Sequence, residues 1–240
     1  MMSSRQLIVA SSLWLAVVAL AGCDSLRPGA TDSVDLDQRS NFDVRIIGEV
    51  ADATIFPLSV GMKATYKLVL AEGSGADILP ESFMVEVQGQ EDHAGVAYYR
   101  IQNYLTPTFG FTPTESDVLG GLGKSVLVRS DGNAVYALAD GTEQLIYTFP
   151  QEEGETEAWS VRGYLGEVPW SAKVGATGLT SSSLAVGWDY PGFMGGPEFG
   201  TLAEGGWGEV FEAGKGRVRI VSMSQRYSAV WDLVELSVSP

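Results

Sequence analysis

Val126-Leu-Val-Arg-Ser-Asp131-Gly132-Asn133-Ala-Val-Tyr-Ala-Leu138 reads as two β-strands joined by a tight turn. Both arms carry valine, the second adds Tyr136, and Asp-Gly supplies the positive φ that a short hairpin loop demands. Downstream, Asp140-Gly141 turns the chain again into a third run at 144–149, which Pro150 stops. Upstream, Phe83-Met-Val-Glu-Val-Gln88 alternates apolar and polar residues with period two, the mark of a strand with one buried face. Val96-Ala-Tyr-Tyr-Arg-Ile101 follows across a glycine-containing turn, which predicts a second hairpin. Strand-like runs continue outward at 65–70, 158–161, 183–188, 217–222 and 229–238. No stretch of twelve residues combines a helical period with caps. The 29 glycines fall between runs of about 5–8 residues, so the expected fold class is all-β, with antiparallel strands and many turns.

The amino terminus carries a different signal. Arg5 is the only charge among the first 22 residues, and an apolar run from Leu7 to Ala21 follows it. This is the layout of a secretory signal, and it is shorter than the roughly 20 residues of a membrane-spanning helix. Leu20-Ala21-Gly22-Cys23 looks like the lipobox of bacterial lipoproteins. That likeness implies a cut before Cys23, diacylglycerol on its thiol and an acylated new amino terminus. The expected organisation is a signal peptide at 1–22, a lipidated flexible tether at 23–50 and a β-rich globular domain at 51–240. Residues 44–47 are either a short first strand or the end of the tether. Cys23 is the only cysteine, so no disulfide forms within the chain and the fold rests on its apolar core. Asp24 resembles the signal that retains lipoproteins in the inner membrane, which favours that membrane over the outer one.

Removal of residues 1–22 takes Arg5 away and leaves 30 acidic side chains against 14 basic ones. Such a surface repels phosphate backbones and anionic headgroups, so nucleic acid is not an expected partner and attachment falls to the acyl chains. The single histidine, His93, lies in the turn Gln90-Glu-Asp-His-Ala-Gly95 with no nucleophile placed beside it, so no catalytic residue is assigned. Clustered His and Cys are missing, and Asp32, Asp35 and Asp37 lack the glycine and closing glutamate of a calcium loop, so neither metal nor cofactor is expected. The acidic run Gln151-Glu-Glu-Gly-Glu-Thr-Glu157 reads as a solvated loop. Gly120-Gly-Leu-Gly123-Lys124-Ser125 lacks phosphate-loop spacing.

Most aromatic residues are expected in the core, where they bury large apolar areas. Five are read differently: Trp188, Tyr190, Phe193, Phe199 and Trp207 flank glycines and prolines around Pro191-Gly-Phe-Met-Gly-Gly-Pro-Glu-Phe-Gly200. That stretch is expected to be a long contact loop, not a strand.

Several of these pieces fall in one order. Phe56-Pro57-Leu58-x-Val60-Gly61 with Tyr66 comes first, then Gly95-Val-Ala-Tyr98-Tyr99. The hairpin from Leu127 to Tyr136, the run from Leu145 to Pro150 and Trp159 follow. Glu209-Val-Phe-Glu-Ala-Gly214-Lys-Gly216-Arg-Val218 leads to Leu233-Val-Glu-Leu236. The order resembles a family of uncharacterised bacterial envelope lipoproteins whose domain opens "FPL-x-x-G-x-x-W-x-Y". Ala64 stands where that family has tryptophan, and residues 160–205 follow the pattern poorly. The resemblance implies a single curved antiparallel sheet or half-open barrel, and no activity.

Two functions are expected from these features. The first is a non-enzymatic, lipid-anchored envelope protein whose β domain binds an envelope partner or serves as a structural module, with residues 188–207 as the contact patch. The alternative is a carrier or sensor of an apolar, lipid-like ligand within a half-open barrel.

Overall fold

The structure, a computed structural model, describes residues 43–50, 54–74, 76–104, 123, 125–139, 141–165, 168–180, 182–193, 203–223 and 227–238. Its strands are β1 (Arg45–Ile47), β2 (Lys63–Glu72), β3 (Ser82–His93), β4 (Val96–Gln102), β5 (Ser125–Asp131), β6 (Ala134–Ala139) and β7 (Thr142–Thr148). They continue as β8 (Thr156–Leu165), β9 (Val168–Thr180), β10 (Ser183–Phe193), β11 (Ala203–Glu212), β12 (Gly216–Met223) and β13 (Ser228–Ser237). One turn of 3-10 helix, Ala76–Ile78, interrupts the pattern.

Twelve strands form one antiparallel sheet in the order β7-β6-β5-β4-β3-β2-β13-β12-β11-β10-β9-β8. From β2 onward every connection but one joins neighbouring strands; the exception is β7 to β8, which lie at the two ends of the order, and the last strand β13 pairs with β2. β1 lies parallel to β13, Arg45 opposite Glu235 and Ile47 opposite Ser237, beyond the part of β13 that β12 reaches. The sheet therefore extends back into the segment read as tether, and of the two readings of 44–47 the first strand is the one that holds.

The sheet rolls into a nearly closed barrel. β3 pairs with β2 only from Ser82 to Glu86, and the rest of β3 runs past β2 to pair with β4. A stagger of this kind tilts the strands, as closure requires. The two end strands, β7 and β8, are consecutive in the chain, yet no ladder joins them among the described residues. Across this seam the Trp159 indole N–H donates to the Ile146 carbonyl at 3.2 Å.

The inner face is apolar. Tyr66, Phe83, Val85, Val87, Ile101, Val128, Val135 and Trp231 join one buried cluster that continues through Val174, Val186, Phe211 and Ile220. Full burial of such a side chain contributes about 1.5–3 kcal/mol, enough in aggregate for a chain without disulfides. The outer face carries charges in pairs: Lys63–Glu86, Arg129–Glu143 and Arg219–Asp232. This is the inverse of a membrane-spanning barrel, whose apolar band faces outward.

Both predicted hairpins form. Gly132 takes the first central position of the β5–β6 turn at φ 61°, and Ala94-Gly95 joins β3 to β4. β9 and β11 were not expected. Glycines 175, 178, 205, 206 and 208 break up their apolar pattern, while their neighbours on both sides supply the pairing that holds them extended.

One of these glycines is needed for space. The loop between β7 and β8 folds onto Gly178, whose N–H donates to Glu155 O at 3.0 Å and whose carbonyl accepts from Gly154 N–H at 2.9 Å. A Cβ at Gly178 would collide with the backbone carbonyl of Glu152, whereas one at Gly187 meets nothing within 4 Å. Gly178→Ala is therefore expected to cost about 1–3 kcal/mol, because backbone must shift. Gly187→Ala should stay within about 0.5 kcal/mol of the parent. Thermal unfolding of the two variants side by side checks the contrast.

Candidate functional site in the barrel interior

The interior is not uniformly apolar, and a single bulge is the reason. Trp207, Glu209 and Phe211 alternate along β11 on its inner face, all buried. In the ladder to β12, Glu209 pairs with Ile220 and Val210 with Arg219, but Phe211 pairs with Arg217. The extra residue, Val218, shifts the register and turns Arg217 to the face of Phe211, whereas Arg219 stays outside with Asp232. Bulges re-aim side chains in this way.

Arg217 and Glu209 consequently meet inside the barrel, at 1% and 0% side-chain exposure. Arg217 Nη1 donates to Glu209 Oε1 at 2.6 Å. The Tyr147 hydroxyl donates to the same carboxylate, 3.0 and 2.9 Å from its two oxygens. Tyr104 Oη donates to Tyr147 Oη at 3.2 Å, and Tyr66 Oη donates to the Arg217 carbonyl at 2.8 Å. The guanidinium lies 4.2 Å from the Tyr104 ring centroid and 5.6 Å from that of Tyr66. Burial pushes all three phenols above their ordinary pKa, with Arg217 opposing the rise and the Glu209 charge adding to it. The tyrosines therefore remain protonated donors at any physiological pH.

Phe56 closes this end. It packs against Tyr104, Tyr147, Phe149 and Phe211 with ring centroids 5.8–6.4 Å apart. Its segment is tied down where Gly214 N–H donates to Thr54 O at 2.8 Å and Pro57 rests on Gly216. Glycine at 216 has φ +74°, and a Cβ there would press on the Pro57 ring at 3.3 Å.

One layer below Glu209, the ladder rows bring Trp159, Val174, Trp188, Trp207, Ser222 and Ala229 into register across six strands. Trp207 is 6% exposed, and its indole N–H has no hydrogen-bond partner among the described residues. Ser222, directly opposite it, is buried with its Oγ 3.4 Å from the Tyr227 hydroxyl.

Where the stretch expected as a contact loop is described, at 188–193 and 203–207, it is strand, and 194–202 lie outside the described residues. Trp188, Tyr190 and Phe193 lie on β10, and Trp207 lies on β11 in the core. Trp188 is paired directly to Trp207. Cross-strand pairing on both flanks overrides the local Gly and Pro content, with an irregularity between Tyr190 and Phe193 absorbing Pro191. Phe199 and Cys23 lie outside the described residues.

The remaining candidates sit elsewhere. His93 ends β3, half exposed, with Nε2 3.6 Å from Glu91 and its ring edge-on to Tyr98. Among the described residues no three His, Cys, Asp or Glu side chains group as metal ligands. Glu155 accepts from the N–H groups of Gln151 and Glu152, so the acidic run organises its own turn. Glu209 and Arg217 were not singled out from the sequence. The alternation Trp207-x-Glu209-x-Phe211 marks the glutamate as inward once β11 is known to be a strand; nothing local announces the bulge that brings in Arg217.

Compared with known protein families, with curated proteins and with solved structures, the chain matches none.

Proposed function

We propose that this chain is a lipid-anchored cell-envelope protein, held by acyl chains on Cys23, whose barrel carries an apolar, lipid-like ligand without catalysing a reaction. One observation carries the reading: a twelve-stranded sheet is rolled around an apolar lining with its two end strands unjoined. Eight strands already give an interior that side chains fill or that holds one small ligand, and diameter grows with strand number. Here bulky rings and an ion pair occupy the end beneath Phe56. Apolar walls with a few placed polar groups are the usual make-up of a ligand site. The envelope-lipoprotein resemblance, the lipobox and the inner-membrane preference of Asp24 belong to the same proposal.

Partner docking through residues 188–207 is the weaker reading, because Trp207 is taken up by the core and Trp188 by the ladder beside it.

The test is native mass spectrometry on the mature chain, 23–240, carrying Cys23→Ser. It is exported behind a cleavable secretory signal and purified without detergent. The expected result is a reproducible extra mass that leaves on denaturation. A bare mass, together with no uptake of the apolar fluorophore diphenylhexatriene, would overturn the carrier reading.

A further inference from the structure

Resting on the carrier reading, we infer that Trp207 and Ser222 form the polar end of the ligand site and that the ligand is an acyl lipid held by its carbonyl oxygen. Trp207 Nε1–H is a buried donor with no acceptor among the described residues, which costs about 1–3 kcal/mol when left so. Buried polar groups are nearly always paired, so an orphan in a lined interior marks a place where an acceptor arrives from outside the chain. The orphan is not isolated. Ser222 is the direct ladder partner of Trp207, and its hydroxyl is near that of Tyr227, so a second donor stands on the same inner face.

The surroundings select the rest of the ligand. The row through this point contains Val174 and Ala229 beside the tryptophans, and the layer above adds Ala176 and Val186, all buried. These are the walls of an alkyl chain's environment, not of a sugar's. The Glu209–Arg217 pair lies one layer nearer the Phe56 end and is already joined to itself. A single neutral N–H and a hydroxyl suit a carbonyl acceptor, whether it belongs to a fatty acid or to the ester of a glycerolipid. The orphan donor's row lies on the side away from Phe56, and it ends at Trp159 on the seam. A lipid entering at the seam reaches it with the tail enclosed.

Trp207→Phe keeps the ring and removes only the N–H. On the mature chain with Cys23→Ser, displacement of diphenylhexatriene is measured with palmitate and with palmitoyl-lysophosphatidylcholine. The expected result is that both chains take up the fluorophore equally, while Trp207→Phe binds the carbonyl lipid about tenfold more weakly, the worth of one hydrogen bond. A loss confined to palmitate assigns a fatty acid, and one confined to the lysolipid assigns a glycerolipid ester. Should Trp207→Phe fail to fold, the indole 15N–1H resonance of Trp207 in the parent must move on addition of the lipid. Equal lipid affinity in both chains, an unmoved resonance, or uptake of the fluorophore but of neither lipid would overturn this site and leave the carrier reading standing. No uptake of any probe would overturn both.

Discussion

Glu209→Gln is expected to destabilise the barrel by about 3–5 kcal/mol, a large share of the 5–15 kcal/mol that a domain commands. The substitution preserves shape and leaves a group able to face Tyr147, so what it removes is charge. Arg217 then remains buried at 1% exposure without the carboxylate 2.6 Å away that offsets its desolvation. The pair as a whole is worth much less than that loss suggests, because taking two ions out of water nearly cancels their attraction. Glu209→Leu with Arg217→Met should accordingly fold with stability close to the parent or above it. Urea denaturation of Glu209→Leu, of Arg217→Met and of the double variant gives the cycle that separates the pair from its parts, with Glu209→Gln measured beside them. A single-variant loss below about 1 kcal/mol would mean that water or another group already neutralises Arg217.

That near-neutrality bears on why the pair is there. A barrel end could be filled with leucine at no cost, yet this one holds an ion pair, three tyrosines and a bulge that exists to bring Arg217 inside. Directional bonds fix where the rings of Tyr66, Tyr104 and Tyr147 sit, and Phe56 packs on two of them. The cluster thus fills the end beneath Phe56, and the orphan donor of Trp207 lies in the next row, one layer further from that end.

How far this was legible follows from the range of each signal. The β5–β6 and β3–β4 hairpins are local: a turn and two alternating arms lie within about twenty residues, and both were readable. β11 was not, because Glu-Gly-Gly-Trp-Gly has poor strand propensity alone and is held by β10 and β12. The same cause hid the end of β10, where Pro191 and Gly192 read as loop. Curvature was reached through a resemblance and not from periodicity, since an alternating strand looks alike in a flat sheet and in a barrel. The interior ion pair depended on one residue of register, a quantity fixed between strands and written in neither. Trp207 shows the cost of judging a side chain by its neighbours: glycines on both sides suggested a surface, but the strand's two-residue alternation places it with Glu209 and Phe211.

Cys23→Ser is expected to move the protein from membrane to soluble fraction completely, not partly. If the proposed acylation holds, two or three long chains anchor the mature form, each buried CH2 contributing about 0.8 kcal/mol, whereas one chain alone would bind only marginally. With 30 acidic residues against 14 basic ones after cleavage, the domain is repelled by anionic headgroups, and the barrel's outer face carries paired charges where a lipid-facing surface would be apolar. A basic protein stripped of its anchor lingers on the bilayer; this one should leave it, and added salt should not alter the amount that stays. Labelling with an alkynyl fatty acid should fall to background in the same variant. Retained label, or a membrane-bound pool that survives the substitution, would sink the assignment of Cys23 and with it the view that the barrel works at the end of a tether.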